Sequence, residues 1–346
     1  MVSAHGQRAA AQGARWKGAA PMRAWRVEKH GEPADVLQLA DADVPEPGPG
    51  QVRIRVAAAG IGLPDVLMCR GSYALVPALP FTPGQEAAGV VTAVGEGVDL
   101  PIGAAVMAVT AFPSGHGAFA EECLAKADSV FAVPPGLDVT AAAGFWIPHL
   151  TGWLGLVDRG RLAAGEWLAV LGAAGSSGLA AVQLGRVLGA RVIAVVGDDR
   201  RADLCRGLGA ETVVNHRTGP LGPALREITG GHGVDTIYDP VGGTTAADAA
   251  GALTRGGRLL AVGNAGGTWP RIPAERLVMT NTSVVGVYTG SYSYAERNAV
   301  HTRLCELLAD GRLHTAATTV PFHDLPAALE QIAGRTAAGK LTLTGM

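Results

Sequence analysis

The chain has 346 residues, long for a single core, and its formal net charge of −2 gives no electrostatic reason to expect a nucleic acid or an anionic membrane surface as partner. No apolar run approaches the roughly 18 residues a membrane-spanning helix needs, so a cytoplasmic protein is expected. The four cysteines, Cys69, Cys123, Cys205 and Cys305, stand far apart with no CxxC pair, which argues against a disulfide framework or a thiolate zinc site.

Residues 1–21 contain arginine and alanine but no acid, superficially like a transit peptide, and are expected to be a disordered extension. Met22-Arg23-Ala24-Trp25 opens the first strand. From there to about Val133, short apolar or alternating runs are broken by proline and glycine: Val52–Ala58, Ala88–Val94, Ala104–Ala108 and Ala118–Leu124. That pattern predicts a compact β-rich domain over residues 22–145, with Asp43 to Gln51 as a turn cluster between strands.

After Pro134-Pro135-Gly136 strands alternate with helical stretches. The strand candidates are Trp167–Leu171, Arg191–Val196, Thr212–Asn215, Val234–Tyr238, Arg258–Val262 and Ser283–Val287. Six strands in that rhythm predict an α/β, doubly wound parallel sheet over residues 146–288. The remainder, 289–346, holds a helix around Ala295–Asp310 and a last strand near Lys340–Leu343, expected to return to the first domain.

The stretch from Trp167 to Val196 reads as the first half of a dinucleotide-binding βαβ unit. Between strand and helix, Gly172, Gly175 and Gly178 lack the Cβ that would obstruct a tight turn, an approaching pyrophosphate and close helix–sheet contact. Ala174, Gly175, Ser176, Ser177 and Gly178 therefore form the expected phosphate turn. The serine hydroxyls either add hydrogen bonds to phosphate or cap the helix.

The end of the second strand bears on which dinucleotide is held. An NAD site puts a carboxylate there, whereas this chain has Gly197 followed by Asp198-Asp199-Arg200-Arg201. Room at Gly197 and positive charge at Arg200 and Arg201 favour NADPH. The alternative is that the two aspartates cap the next helix and the arginines form a solvated face.

Several separated motifs carry a family resemblance: Pro64 to Tyr73, Leu79 to Val91 with Gly84-Gln85-Glu86 inside it, Ala173 to Gly178, Asn215-His216-Arg217, Gly233 to Gly243, and Gly339-Lys340-Leu341. Nearly all of Met22 to Met346 resembles the medium-chain dehydrogenase/reductase superfamily, in its zinc-free quinone oxidoreductase branch. The resemblance implies a GroES-like β-rich catalytic domain, a Rossmann cofactor domain, and a cleft in which NADPH reduces a quinone or a conjugated carbonyl.

In zinc-dependent relatives a cysteine matches the Gly60–Asp65 motif and a histidine matches Gln85. Neither ligand type is present here, and no metal is expected. A quinone or enone is already electrophilic, so positioning and one hydrogen-bond donor near its oxygen can suffice. The resemblance makes Tyr73 that donor, against the alternative of a tyrosine packed on its loop. Asp65 in the same segment either works at the acceptor or closes a turn and caps a helix. By position, Thr151, Val241, Gly263 and Asn264 are implied to face the nicotinamide, and His216 the 2′-phosphate. Lys340 either reaches a phosphate or lies on the surface. Gly62 stands where many relatives carry an asparagine, which weakens the case for direct quinone reduction.

Ser283–Val287 lies where relatives pair their sheets across a two-fold axis, and an unpaired apolar edge is a liability in a monomer, so a homodimer is expected. Two alternatives to an NADPH-dependent quinone or enone reductase stay open. One is an enoyl-thioester reductase, for which the few basic residues of the first domain (Arg53, Arg55, Arg70) argue mildly unfavourably. The other is a catalytically weak NADPH-binding scaffold.

Overall fold

A computed structural model describes residues 21–315 and 317–346, so the extension expected over residues 1–21 falls outside the described residues up to residue 20. Strands β1 (Met22–Val27) and β2 (Leu37–Ala42) form an antiparallel pair. Next come β3 (Gln51–Ile61), β4 (Glu86–Val94), β5 (Ala105–Thr110) and β6 (Glu122–Ala132). Because β3 pairs with both β4 and β6, these four strands close on themselves as a small barrel. Closure removes the open edges that a short antiparallel sheet would otherwise expose.

The second half is a parallel sheet of β7 (Trp167–Leu171), β8 (Arg191–Val196), β9 (Thr212–Asn215), β10 (Val234–Asp239), β11 (Leu253–Ala261) and β12 (Ser283–Gly286), in the order β12-β11-β10-β7-β8-β9. The chain runs outward from β7 to β9, then crosses to the other side of β7, placing a topological switch between β7 and β10. Crevices for ligands open at such switch points, beyond the carboxyl ends of the strands. Alternation along β7 sends Leu168 and Val170 into one core and Trp167, Ala169 and Leu171 into another on the opposite face. All five residues are buried, as expected of a central parallel strand covered on both sides.

Strands β13 (Ala317–Pro321) and β14 (Lys340–Thr344) bring the C-terminal segment back, β14 lying antiparallel to β3 with Leu341 opposite Ile61. Leu325 and Leu329 of the helix Leu325–Ala333 enter the barrel's core beside Val66 and Met68. The fold is thus a GroES-like β-rich unit joined to a doubly wound Rossmann sheet.

Three local readings need correction. Ala118–Leu124 is not one strand: β6 starts at Glu122, and the residues before it bond crosswise, Ala118 to the Gly84 carbonyl at 2.9 Å and Phe119 to that of Pro83 at 3.0 Å. A Cβ at Gly117 would sit 2.3 Å from the Pro83 oxygen, so this crossing needs glycine. Strand β2 and the helix Leu325–Ala333 were not expected from the sequence. The first breaks apolar alternation at Asp41, which falls on the same face as Leu37 and Leu39.

Candidate active site

At the carboxyl end of β7 the chain turns through Gly172, in left-handed conformation with φ 56°, and enters the helix Ser176–Val187. A Cβ on Gly178 would fall 2.3 Å from the Gly172 carbonyl oxygen, so the turn closes only around a hydrogen atom there. No side chain caps this helix, and the amides of its first turn have no intrahelical partner. The two serines are not equivalent. Ser177 Oγ is 2.8 Å from the hydroxyl of the fully buried Tyr238, whereas Ser176 Oγ is buried without any partner. An orphaned hydroxyl beside free amides at a helix N-terminus is a cradle for an anion. Ala174 completes the turn, its carbonyl accepting from Gly339 at 3.0 Å.

At the end of β8, Gly197 faces a cationic corner. A Cβ there would lie 3.1 Å from His216 Nε2 and 3.4 Å from Arg217 Nε. Burial and the charges of Arg217 and Arg335 push the His216 imidazole below its ordinary pKa, so it is held neutral among cations. Of the two arginines expected from sequence, Arg200 turns outward and pairs with Asp198, while Arg201 stays beside the corner, donating to the Arg335 carbonyl at 2.7 Å. The reason is local: Asp198 caps the turn Asp199–Arg201 through the Arg200 amide and captures the Arg200 side chain at the same time. Positive charge at this corner comes from Arg217, inside the Asn-His-Arg motif, and from Arg335, which no sequence pattern near β8 announces.

The barrel side of the cleft holds a buried polar cluster. Lys340 Nζ forms an ion pair with Glu86, both nearly fully buried, and the other Glu86 oxygen accepts from the Ile147 amide at 3.0 Å. Gly60 and Gly144 leave the space this lysine occupies, since a Cβ on either would press into its side chain. Lys340 is therefore neither a surface residue nor a free phosphate ligand. Withdrawing its ammonium would strand a buried carboxylate, so the pair stays closed. Its backbone neighbour Gly339 still bridges to Gly175, so the strand that carries Lys340 starts against the phosphate turn.

Asp65 belongs to the same cluster. It caps the helix Leu63–Cys69 by accepting from the Gly62 amide at 2.9 Å, while its second oxygen is buried and unpartnered. Burial, opposed by that hydrogen bond and by Lys340, raises its pKa to about 7. Tyr73 packs on Phe112, centroids 6.2 Å apart, with the Gln85 side chain against its hydroxyl. Burial pushes the Tyr73 phenol above its usual pKa, keeping it a proton-bearing donor. His149, which the sequence did not single out, is buried one turn before Trp153, stacked on Phe145 and bonded to its carbonyl at 2.8 Å. Burial lowers its pKa to about 4.

Thr151 is half-buried on the helix Trp146–Trp153, which extends as a π-helical segment Leu154–Arg159. Val241 follows β10, and its methyl lies against Gly172. Gly263 and Asn264 follow β11, and the two turns are stitched by bonds from Gly263 to the Asp239 carbonyl (3.2 Å) and from Gly266 to that of Val241 (2.6 Å). Asp239 is fully buried and accepts from the Val241 and Gly242 amides at 2.9 and 2.7 Å, fixing the turn. Among the described residues no helix is long and apolar enough to cross a membrane, and no three or more His, Cys, Asp or Glu side chains group so as to hold a metal ion.

Residues 48–135 match the family model for the alcohol dehydrogenase GroES-like domain, and residues 178–308 that for zinc-binding dehydrogenases. The chain is 35% identical over 239 residues to quinone oxidoreductase-like protein 2 of Rattus norvegicus, covering 68% of this chain and 67% of the relative. It is 31% identical to the quinone oxidoreductase of Sus scrofa over 71% of this chain and 74% of that one. The crystal structure of Escherichia coli quinone oxidoreductase complexed with NADPH superposes at a TM-score of 0.86 with 28% identity, covering 94% of this chain and 100% of the other.

Proposed function

The chain belongs to the medium-chain dehydrogenase/reductase superfamily, in its quinone oxidoreductase branch, and from that premise we propose that it is a zinc-independent, NADPH-dependent reductase of quinones or conjugated carbonyls. The observation that carries this reading is the orphaned Ser176 hydroxyl beside free helix amides, set at the switch point between β7 and β10. The cofactor's diphosphate fits there, held by the amides of the Ser176–Gly178 turn and by Ser176. Gly197, His216, Arg217 and Arg335 surround the place for its 2′-phosphate. Thr151, Val241, Gly263 and Asn264 form the wall for its nicotinamide. NADPH, when bound, supplies the hydride.

The chain's own residues prepare the acceptor. The Tyr73 hydroxyl, kept protonated by burial, donates a hydrogen bond to the acceptor oxygen and stabilises charge developing there. Gln85 orients that hydroxyl. Asp65, raised by burial to about 7, carries less negative charge beside Tyr73 near neutral pH than an ordinary aspartate would. Lys340 neutralises Glu86, so the floor of the site carries no net charge into the dry cleft. At the place where zinc-dependent relatives hold their ion, the donor set is the Gln85 amide, the Glu86 carboxylate paired with Lys340, and Asp65, one oxygen of which accepts from Gly62 while the other has no partner. That set suits hydrogen bonding to the acceptor better than metal binding.

The same reading takes the protein as a cytoplasmic homodimer paired along β12. Val284 on this edge strand is 41% exposed, and Val278 and Met279 on the adjacent helix Ala274–Thr280 are more so, an apolar surface that a second copy would cover. The direct test follows NADPH absorbance with a quinone and with an enone. Turnover with either supports the reading, and tight NADPH binding with turnover of neither supports the scaffold alternative instead.

A further inference from the structure

The 2.8 Å hydrogen bond between Ser177 Oγ and the Tyr238 hydroxyl joins the two sides of the switch point. Ser177 lies in the first turn of the helix that follows β7, and Tyr238 lies on β10. Tyr238 is fully buried, and in the register of the sheet it stands beside Val170 of β7, just before the turn at Gly172. Burial pushes its phenol well above the ordinary pKa, so the hydroxyl keeps a proton to share with Ser177. The same ring meets the element that carries Thr151. The helix Trp146–Trp153 runs on into the π-helical segment Leu154–Arg159, and a Cβ on Gly155 would fall 3.2 Å from Tyr238 Cε2, so the backbone of that segment lies against the ring. Single π-helical turns of this kind recur at functional sites.

The two serines of the turn therefore have different tasks. Ser176 Oγ has no partner and is free to meet a phosphate, whereas Ser177 Oγ is already engaged across the crevice. A first helical turn held in this way has its amides aimed before the ligand arrives, which lowers the ordering cost of binding. Resting on the reading above, we propose that Tyr238 is a positioning residue for the cofactor. Acting through Ser177, its hydroxyl fixes the first turn of the helix Ser176–Val187 so that the amides meet the diphosphate preformed, and the Ser177 side chain is an anchor for the turn and not itself a phosphate ligand.

The test is calorimetric titration with NADPH of the wild type, Tyr238→Phe, Ser177→Ala and their combination. Tyr238→Phe keeps the ring against Gly155 and removes only the hydroxyl. It is expected to weaken NADPH about fivefold, Ser177→Ala by a similar factor, and the double variant no further, since all three break one and the same bond. Ser177→Thr keeps a hydroxyl at that place and is expected to stay within about twofold of the wild type. In steady-state kinetics with 1,4-naphthoquinone the loss is expected in KM for NADPH rather than in kcat. Were Ser177 a phosphate ligand, Tyr238→Phe would free its hydroxyl and leave the affinity unchanged or raise it, and either result overturns the proposal. Additive losses in the double variant overturn it as well, as does a Ser177→Thr variant no better than Ser177→Ala. In each of these cases the wild type still binds NADPH and the reading above survives, whereas a wild type that gives no heat with NADPH defeats that reading and the proposal with it.

Discussion

At the cofactor end of the cleft the site is made of backbone, the turn Gly172–Gly178 and the first amides of the helix that follows, all within a few residues of one another. At the acceptor end it is made of side chains, Asp65, Tyr73, Gln85, Glu86 and Lys340, drawn from three segments, with the paired Glu86 and Lys340 254 positions apart along the chain. The difference teaches where each end is vulnerable. A backbone cradle fails when any atom is added to it, while a side-chain cluster fails when one partner is withdrawn from another.

The largest effect should come from adding an atom to the cradle. In Gly178→Val the new side chain would collide with the Gly172 carbonyl, and calorimetry should detect no NADPH binding. Retained affinity would show that the turn is not the phosphate site. Withdrawal of a partner is next. Lys340→Met leaves Glu86 buried without its cation and should destabilise the fold by about 4 kcal/mol in denaturant unfolding, whereas Lys340→Met combined with Glu86→Gln should recover much of that loss. Equal instability of single and double variants would mean that the pair is not coupled.

The pH dependence of stability sharpens the same contrast. Asp65, raised by burial from 3.8 to about 7, keeps its proton in the folded chain after the unfolded chain has released it, so it subtracts stability as pH rises from about 4 to about 7. His149, lowered from 6.5 to about 4, stays neutral in the folded chain where the unfolded chain is protonated, so it adds stability over the window from about 4 to 6.5. In the wild type these slopes oppose each other. Asp65→Asn should uncover a rising slope and His149→Gln a falling one, each on the order of 3 kcal/mol across its window. Parallel curves for both variants would remove Asp65 from the titrating cluster. Tyr73→Phe follows, with kcat/KM for a quinone expected to fall about 100-fold and the KM for NADPH unchanged.

The contrast between the two ends also explains what could be read from the sequence. Every strand of the parallel sheet was visible, because β7 and β8 are largely apolar runs ending at a glycine, and Gly172, Gly175 and Gly178 are spaced by a local geometric need. The acceptor cluster was only half visible. Tyr73 and Asp65 were found through motif resemblance, and the return of the last strand to the first domain was expected, but the partnership of Glu86 with Lys340 depends on β14 pairing with β3, which no local pattern encodes. The same holds at the adenosine corner. Asp198 and Arg200 follow the alternative the sequence offers, the aspartate capping the next turn and holding the Arg200 side chain outward on a solvated face. Arg335, whose charge acts on His216 at that corner, comes from a turn beyond the helix Leu325–Ala333, out of range of any short-spacing argument.

The smallest expected effect bears on the central claim, that a dinucleotide carrying a 2′-phosphate is held between the phosphate turn and the cationic corner at Gly197. Arg217→Ala should weaken NADPH about tenfold and leave NADH unaffected, since only the former meets the guanidinium. The decisive measurement is therefore calorimetric titration of the wild-type chain and of Arg217→Ala with NADPH and with NADH. NADPH binding more tightly than NADH in the wild type, with the preference shrinking in the variant, is the result expected. Equal affinities, tighter NADH, or no heat with either nucleotide would contradict the account.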